Sequence, residues 1–396
     1  MLTLPVLAAG GGVLPPWSPG ELDIHHIDTG RGNATFLLAP DGTALLIDCG
    51  SSYEALDVSA PTRPDASRQP GEWVARYALR QARAAGRTAL DYAIATHVHP
   101  DHVGDVPAGA VLENGGFVAT GLSQVDALMP IGTVIDRGYP DYGLLPPVKA
   151  PFAANYLAWL DVRRRAGKRV ERAEVGSVDQ IRLRDAGKFP GFSVRVLAAN
   201  GRVWTGKGAE SRSVFPDLAS VPAAEMPTEN NCSIALRIGY GRFSYFTGGD
   251  LNADTHDGRE LWLDVESAAV EACGRVEVAV ADHHGYFDAC GPRFAAGLDA
   301  QAYVIPAWHV THPAQAQLER LIGAWPNAKT HDVFALEMLP ANKLWNARWL
   351  KQMRSTQGHV LVRVAADGNS YRIFVVDSTN EDGRVTLACG PYLCRS

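Results

Sequence analysis

Short apolar runs alternate with polar breaks along most of the chain, and their spacing predicts its elements. Leu22–Ile27 alternates like a half-buried strand. Thr35–Leu38 and Ala44–Ile47 are two further strand-like runs joined through Pro40-Asp41-Gly42, a turn signal. Glu72–Ala85 has a helical period: Trp73, Val74, Tyr77 and Ala78 share a face, Arg76, Arg80 and Arg83 fall elsewhere, and Gly86 sits where the helix should end. Ala89–Ala95 is a short apolar strand running straight into Thr96-His97-Val98-His99-Pro100-Asp101-His102. Beyond it, Thr133–Ile135 predicts a strand and Phe152–Arg165 a helix, and alternation returns at Phe192–Leu197. Ser233–Ile238 and Arg242–Phe246 predict a hairpin that ends at Thr247-Gly248-Gly249-Asp250. A helix over Glu260–Cys273, strands over Val276–Val280 and Ala302–Ile305, a helix over Gln315–Ala324 and a closing hairpin of Val360–Ala365 with Tyr371–Val376 complete the pattern. Strands and helices interleave without an internal repeat, which predicts a mixed α and β class.

Composition narrows the choice of function. Of 396 residues 46% are hydrophobic and 20% charged, with a formal net charge of −6, which excludes a disordered chain. The acidic balance makes a general nucleic-acid-binding surface a poor expectation, because that affinity comes from Lys and Arg on phosphates. No membrane span is expected: the apolar run within Met1–Gly20 breaks at Gly10-Gly11-Gly12 and Pro15-Pro16, short of the about 20 residues a bilayer needs. Leu2–Ala9 has the length of a signal-peptide core, although no basic residue precedes it. Residues 1–20 are therefore read as a tail or a truncated signal segment, and the protein as exported, periplasmic or secreted. Cys49, Cys232, Cys273 and Cys290 lie in or beside apolar runs and read as buried thiols, whereas Cys389 and Cys394 are close enough in sequence to form a small disulfide loop in an oxidising compartment. Arg163, Arg164, Arg165, Lys168, Arg169 and Arg172 form a basic run, read first as a solvated helix face and alternatively as a lip that attracts an anionic substrate.

The chemistry concentrates in His97-x-His99-x-Asp101-His102, four metal-ligand side chains within six residues just past a strand. Imidazole and carboxylate together suit zinc, or manganese and iron where oxygen ligands dominate. Asp250, His283-His284, and His309 with His312 stand just past three later strands. Four strand ends that all deliver Asp or His predict convergence on one site. His25, His26, His256, His331 and His359 are read as structural.

These residues carry a resemblance. THVHPDHVGD is similar to the His-x-His-x-Asp-His signature of the metallo-β-lactamase superfamily, and IDTGRGNATFLLAPDGTALLIDCG resembles its opening hairpin, with Asp-Cys-Gly standing for Asp-x-Gly. ENNCSIALRIGYGRFSYFTGGD, DHHG and WHVTHPAQAQLERL resemble, in order and rough spacing, the hydrolase domain of bacterial DNA-uptake competence proteins and their freestanding secreted relatives. The resemblance implies an α+β fold, a four-layer αββα sandwich over residues 21–378, with an insertion at about 105–200 and a C-terminal tail at 379–396. It implies two divalent metal ions, zinc first, with manganese or iron as alternatives. His97 and His99 would hold the first ion, Asp101 and His102 the second, and Asp250 would bridge them. His312 is the first choice to close the second site and His283 its rival, with the pair His283-His284 otherwise contacting substrate or protonating the leaving group. The chain departs from many members in one respect: no histidine lies between His102 and Asp250 to complete the first site, and the matching region offers Asn230 and Asn231.

Two cations about 3.5–4 Å apart can lower the pKa of a bridging water enough to make a nucleophile near neutral pH. Asp101 would orient that water. The leading expectation is a metal-dependent hydrolase of a small-molecule phosphodiester or related anionic ester. Hydrolysis of a lactone, carboxylic ester or amide is the alternative, and a catalytically silent metal-binding protein is the reading from another class.

Overall fold

Strands of three to nine residues, most of them apolar runs, build two sheets. The structure is a computed structural model that describes residues 11–53, 57–110, 116–324 and 329–395. The first half of the chain supplies β1 (Leu22–His26), β2 (Thr35–Leu38), β3 (Ala44–Ile47), β4 (Leu90–Ala95), β5 (Ile131–Asp136), β6 (Arg169–Arg172) and β7 (Phe192–Ala199). The rest supplies β8 (Arg202–Trp204), β9 (Ser211–Ser213), β10 (Ala235–Tyr240), β11 (Phe243–Thr247), β12 (Val278–Val280), β13 (Ala302–Ile305), β14 (Asp332–Ala335), β15 (His359–Val364), β16 (Ser370–Val376) and β17 (Val385–Leu393). One sheet has nine strands in the order β17-β16-β15-β1-β2-β3-β4-β5-β6, and the other has eight in the order β14-β13-β12-β11-β10-β7-β8-β9. The helices are α1 (Pro70–Ala82), α2 (Pro100–Val103), α3 (Gly121–Leu128), α4 (Pro151–Arg165), α5 (Val265–Cys273), α6 (Pro292–Leu298), α7 (Gln315–Ile322) and α8 (Pro340–Trp345).

Three apolar clusters fix the layers. Leu22, Ile24, Leu37, Ile47 and Ile94 of the first sheet pack with Val194, Val196, Leu236, Val278 and Val304 of the second, forming the central seam. Successive strand residues point to opposite faces, so Phe36, Leu38 and Leu46 turn outward and meet Val74 and Ala78 of α1, Leu122 of α3 and Trp159 of α4. On the far side Phe246, Tyr303 and Val333 meet Val265 of α5, Phe294 of α6 and Leu318 of α7. The result is the αββα order that the resemblance implied.

Several expectations shift. Residues 105–200 are not set apart from the sandwich: β5 and β6 extend the first sheet in parallel pairing, and β7 pairs with β10. Residues 379–396 are not a tail, because β17 pairs with β16 along the edge of the first sheet. Cys389 and Cys394 are free, buried thiols. They lie against Ile373 and Asn369 of the neighbouring strand and its turn; four residues of strand are roughly 13 Å, beyond the about 7 Å that a disulfide spans between Cα atoms. The helix expected from Glu260 starts at Val265, because the Asp264 carboxylate accepts the Ser267 N–H and caps it there. Leu14 and Trp17 are buried and the Trp17 indole donates to the Glu21 carbonyl, so residues 14–20 pack on the domain. The signal-like run Leu2–Ala9 lies outside the described residues. Among those described, no helix is long and apolar enough to cross a membrane.

Candidate metal centre

The site forms where strand ends from both sheets meet along one edge. Past β4 the chain turns out of the sheet at Thr96, and His99 leads into α2, which carries Asp101 and His102. This turn lies against the end of β3. A Cβ at Gly50 would sit 1.5 Å from the Asp101 carbonyl oxygen, so the close approach requires glycine there. Gly248 and Gly249 lead from β11 to Asp250, and a Cβ at Gly248 would meet the Asp282 carboxylate at 2.6 Å. After β12, His283 and His284 both adopt left-handed backbone, φ 46° and 55°. Such conformations cost on the order of 1–3 kcal/mol each and persist only when the surroundings hold them.

Here ring anchors do the holding. His284 Nδ1 lies 2.9 Å from the Pro306 carbonyl oxygen, and His283 Nδ1 lies 2.7 Å from Asp288 Oδ1. His102 Nδ1 lies 2.8 Å from Asp48 Oδ2, and His97 Nδ1 lies 3.2 Å from Thr96 Oγ1. An acceptor at Nδ1 keeps the proton there and leaves the Nε2 lone pair free, the tautomer a metal needs.

Two groups of donor atoms result, each within 4.8 Å: Asp101, His102, Asp250 and His284, and His97, His99 and Asp250. Asp250 belongs to both. Its Oδ1 is 3.1 Å from His102 Nε2 and 3.6 Å from His284 Nε2, while its Oδ2 is 3.6 Å from His97 Nε2 and 3.7 Å from His283 Nε2. Ring nitrogens face one another, with His102 Nε2 and His284 Nε2 3.4 Å apart and His97 Nε2 and His99 Nδ1 3.2 Å apart. Lone pairs in such opposition repel unless a proton or a cation sits between them, so the donor set fits divalent ions. The electrostatics agree. Burial works against ionisation of Asp101 and Asp250, yet His102 and His284 outweigh it and hold both carboxyls well below the usual range. Burial, with the positive field of His102, keeps His97 neutral, as a ligand must be. Burial also opposes charge on His102, but Asp250, Asp101 and Asp48 overcome it and push its pKa well up, the same negative field that would receive a cation.

The structure thus brings together His97, His99, Asp101, His102 and Asp250. It differs from the expectation at the second group, where His284 stands in the place expected of His312. The left-handed turn at residues 283–284 aims the His284 ring at Asp101 Oδ2, 2.9 Å away. The ring of His312 stacks behind that of His284, with centroids 4.8 Å apart. Of the asparagines offered for the first group, Asn231 donates to Asn252, Thr255 and the Leu263 carbonyl, away from the site. Asn230 reaches its edge, with Nδ2 3.3 Å from His283 Nε2. His25 and His26 pair with Tyr77, Tyr245 and the Val360 carbonyl inside the protein. His256 pairs with Glu260, His331 with the Leu321 carbonyl, and His359 accepts the Asp28 N–H, all apart from the two groups.

Three supporting acids were given no role at the site from the sequence. Asp48 anchors His102 and also accepts the Thr96 N–H and hydroxyl, each at 2.8 Å. Glu229 accepts the Val98 N–H and makes a two-pronged pair with Arg137, with both bonds 2.6 Å long, which braces the backbone between His97 and His99. Asp288 orients His283. The first had a signal: Asp48 stands just past β3, at a fifth strand end that delivers an acid.

A cavity of about 400 Å³ opens over the two groups, lined by Ser52, His99, Asp101, Val148, Phe152, Asp250, His283, His284, Tyr286, Trp308, His309 and His312 among others. A neighbouring cavity of about 510 Å³ shares His99 and Val148 and runs toward Glu229, Asp254, Asp257 and Phe287. Among the described residues, neither is lined by Lys or Arg. The basic run, read first as a solvated helix face and alternatively as a lip, stands away from both cavities. Phe152, at the start of α4, lines the cavity, but Arg163–Arg165 end that helix, roughly 17–20 Å farther along at 1.5 Å per residue. Arg163 is buried against Asp126, Arg164 pairs with Asp161, Lys168 with Asp126 and Arg169 with Glu171. A larger cavity of about 700 Å³, lined by Asp299, Arg320, Lys329 and His331, contains none of the clustered ligands.

Residues 27–113 match the family model described as the metallo-β-lactamase superfamily, a span that contains His97, His99, Asp101 and His102. No curated protein matches the chain. Among solved structures, CmlA, a diiron β-hydroxylase from Streptomyces venezuelae, is 11% identical, with 88% of this chain and 55% of that chain covered and a TM-score of 0.41. The chain thus spans about half the length of that relative. A putative metal-dependent hydrolase from Parabacteroides distasonis is 10% identical over 80% of this chain and 94% of its own, with a TM-score of 0.37. A Cronobacter sakazakii metallo-β-lactamase with a HARLDQ motif is 14% identical over 68% and 78%, with a TM-score of 0.32. At such scores these likenesses decide nothing about chemistry.

Proposed function

We propose that the chain is a metal-dependent hydrolase, a reading supported by the match of residues 27–113 to the metallo-β-lactamase superfamily model, and that it cleaves a small carboxylic ester or lactone bearing an apolar group. The observation behind this reading is the lining of the cavity over the metal groups: Val148, Phe152, Tyr286 and Trp308 contribute apolar and aromatic surface, and among the described residues none of the lining is a lysine or arginine. A polyanionic substrate would meet no lysine or arginine there among the described residues, and the basic run that could have attracted one stands at and beyond the far end of α4 from the cavity. Phosphodiester cleavage stands as a second reading, favoured by the sharing of Asp250 between two donor groups, a layout that suits a two-metal clamp on an in-line displacement.

Bound divalent ions would supply Lewis-acid activation of water and stabilise charge on the reacting oxygen. The chain's own groups do the rest. Asp101, mostly buried but lining the cavity and kept ionised, would accept a hydrogen bond from attacking water and so orient it. The proton-donor role expected of His283 and His284 fits less well than a ligand role, because both direct Nε2 toward Asp250. Tyr286, His309 and His312 line the cavity as well and are the groups left to contact substrate. The test is a hydrolysis screen of metal-loaded protein on an aryl ester, an acyl lactone, a phosphodiester and a β-lactam. The reading expects turnover of ester or lactone, lost on chelation and restored by metal. Absence of turnover on all four after reloading refutes the hydrolase reading, and turnover of the phosphodiester alone selects the second.

A further inference from the structure

The first donor group is one histidine short if judged from the sequence between His102 and Asp250. The fold supplies another. His283 lies just outside the two groups of donor atoms within 4.8 Å, but its ring is anchored in the same way as the ligand histidines around it. Its Nδ1 is fixed by an acceptor, Asp288 Oδ1 at 2.7 Å, as His102 is fixed by Asp48 and His284 by the Pro306 carbonyl. Asp288 is itself fixed, since its Oδ2 accepts from Asn252 Nδ2 at 2.9 Å and Asn252 is tied to the buried Asn231. The His283 ring therefore has a set orientation and a set tautomer, with its lone pair on Nε2. A long 3.3 Å contact from the Asn230 amide points at that same nitrogen.

The Nε2 atom faces the correct oxygen. Asp250 splits the centre: Oδ1 looks toward His102 and His284, and Oδ2 toward His97 and His283, at 3.6 and 3.7 Å. The two consecutive histidines thus go to opposite sides of one carboxylate. Both residues are left-handed, φ 46° and 55°, so the directions of the two rings are set by this turn and not by the alternation of an extended strand.

We infer that His283 closes the first metal site together with His97, His99 and Oδ2 of Asp250, replacing the histidine missing upstream. This rests on the metal reading above and extends it. His283 and His284 then divide between the two ions, one site with three imidazoles and the other with two imidazoles and Asp101, and each with one oxygen of the shared carboxylate.

Cobalt(II) titration of the metal-free protein, with absorption spectra and a chromophoric competitor, counts ions and their affinities without reference to turnover. The wild type is expected to take up two ions. His283→Ala should keep one ion at wild-type affinity and weaken the other by at least about tenfold, with a change in its d–d absorption; His102→Ala should weaken the complementary ion. Asp288→Ala, which leaves every ligand in place and frees only the ring, should weaken the same ion as His283→Ala by about 10–100-fold. Because it keeps the ligand itself, it also serves if His283→Ala fails to fold. Two ions at wild-type affinity in His283→Ala or in Asp288→Ala overturn this assignment and leave the metal reading intact. A wild type that takes up one ion or none overturns both.

Discussion

Replacing Asp48 by Asn removes one charge from beneath the site and should cost an ion by way of a proton. Asp48 is fully buried and its Oδ2 accepts from three donors: His102 Nδ1 at 2.8 Å, the Thr96 hydroxyl at 2.8 Å and Asn33 Nδ2 at 3.2 Å. Its Oδ1 accepts the Thr96 backbone N–H at 2.8 Å. An asparagine has one oxygen for these two places. With its NH₂ facing the Thr96 N–H, two donors would meet and neither could turn. The amide must therefore keep its oxygen there and place NH₂ where Oδ2 was. The Thr96 hydroxyl and the Asn33 amide can rotate to accept. His102 can accept only by moving its proton from Nδ1 to Nε2, the nitrogen that faces Asp250 Oδ1 at 3.1 Å. A protonated Nε2 cannot ligate. Changes to such ring anchors typically weaken metal binding about 10–100-fold, or about 1.4–2.7 kcal/mol. The rearranged hydrogen bonds should cost a further 1–3 kcal/mol or so of stability. Competition titration of Asp48→Asn is the assay, with thermal unfolding in chelator to confirm a folded chain. Only the ion held by His102 and His284 should weaken. Wild-type affinity for both ions in a folded Asp48→Asn protein would show that the anchor does not set the tautomer, and the reasoning would fail.

Other outcomes follow from the same structure. Arg137→Met strands Glu229 in a buried site, so it should destabilise the protein by about 3–5 kcal/mol in urea unfolding, since both side chains of that pair are at most 2% exposed. Arg164→Glu with Arg165→Glu should leave KM unchanged even at low salt, because these side chains stand at the far end of α4 from the cavity; a raised KM that relaxes with salt would restore the basic lip. Burial, reinforced by the Glu337 carboxylate, pushes Asp28 up to about 7 from an ordinary 3.8. Between those values the folded chain holds a proton that the unfolded chain releases, so stability should fall as pH rises through that window. Asp28→Asn should flatten that part of the urea midpoint against pH, and an unchanged slope would place the titration elsewhere.

The elements were legible because their patterns are local. Strand runs such as Thr35–Leu38 and Ala44–Ile47 fall where alternation and turn residues put them. The layer order followed from the signature motif rather than from periodicity, since apolar runs alone do not say which sheet a strand joins. The reading failed where pairing is decided at long range. β17 is an edge strand built from Val385–Leu393, a run broken by Gly390-Pro391, and only β16 beside it makes it a strand. Residues 105–200 read as an insertion because the motifs are silent there, yet β5 and β6 complete the first sheet and α4 covers it.

At the site the same limit decides which histidine goes where. Motif spacing identified the strand ends that bring Asp and His side chains together, and strand ends converge because backbone pairing places them along one edge. Spacing carries no information on the two dihedrals that point a ring. His284 and His312 both follow strands of the second sheet and both lie in the cavity, so by sequence they are equivalent candidates. What separates them is the pair of positive φ values at 283 and 284, which a polypeptide adopts at a cost and keeps here because the Asp288 and Pro306 acceptors hold both rings. The strain and the two anchors are one arrangement: without the anchors the turn would relax toward ordinary backbone, and without the turn the anchored rings would not fall on opposite oxygens of Asp250. Neither half is visible in Asp-His-His-Gly as a string, and both are required for adjacent histidines to serve two ions.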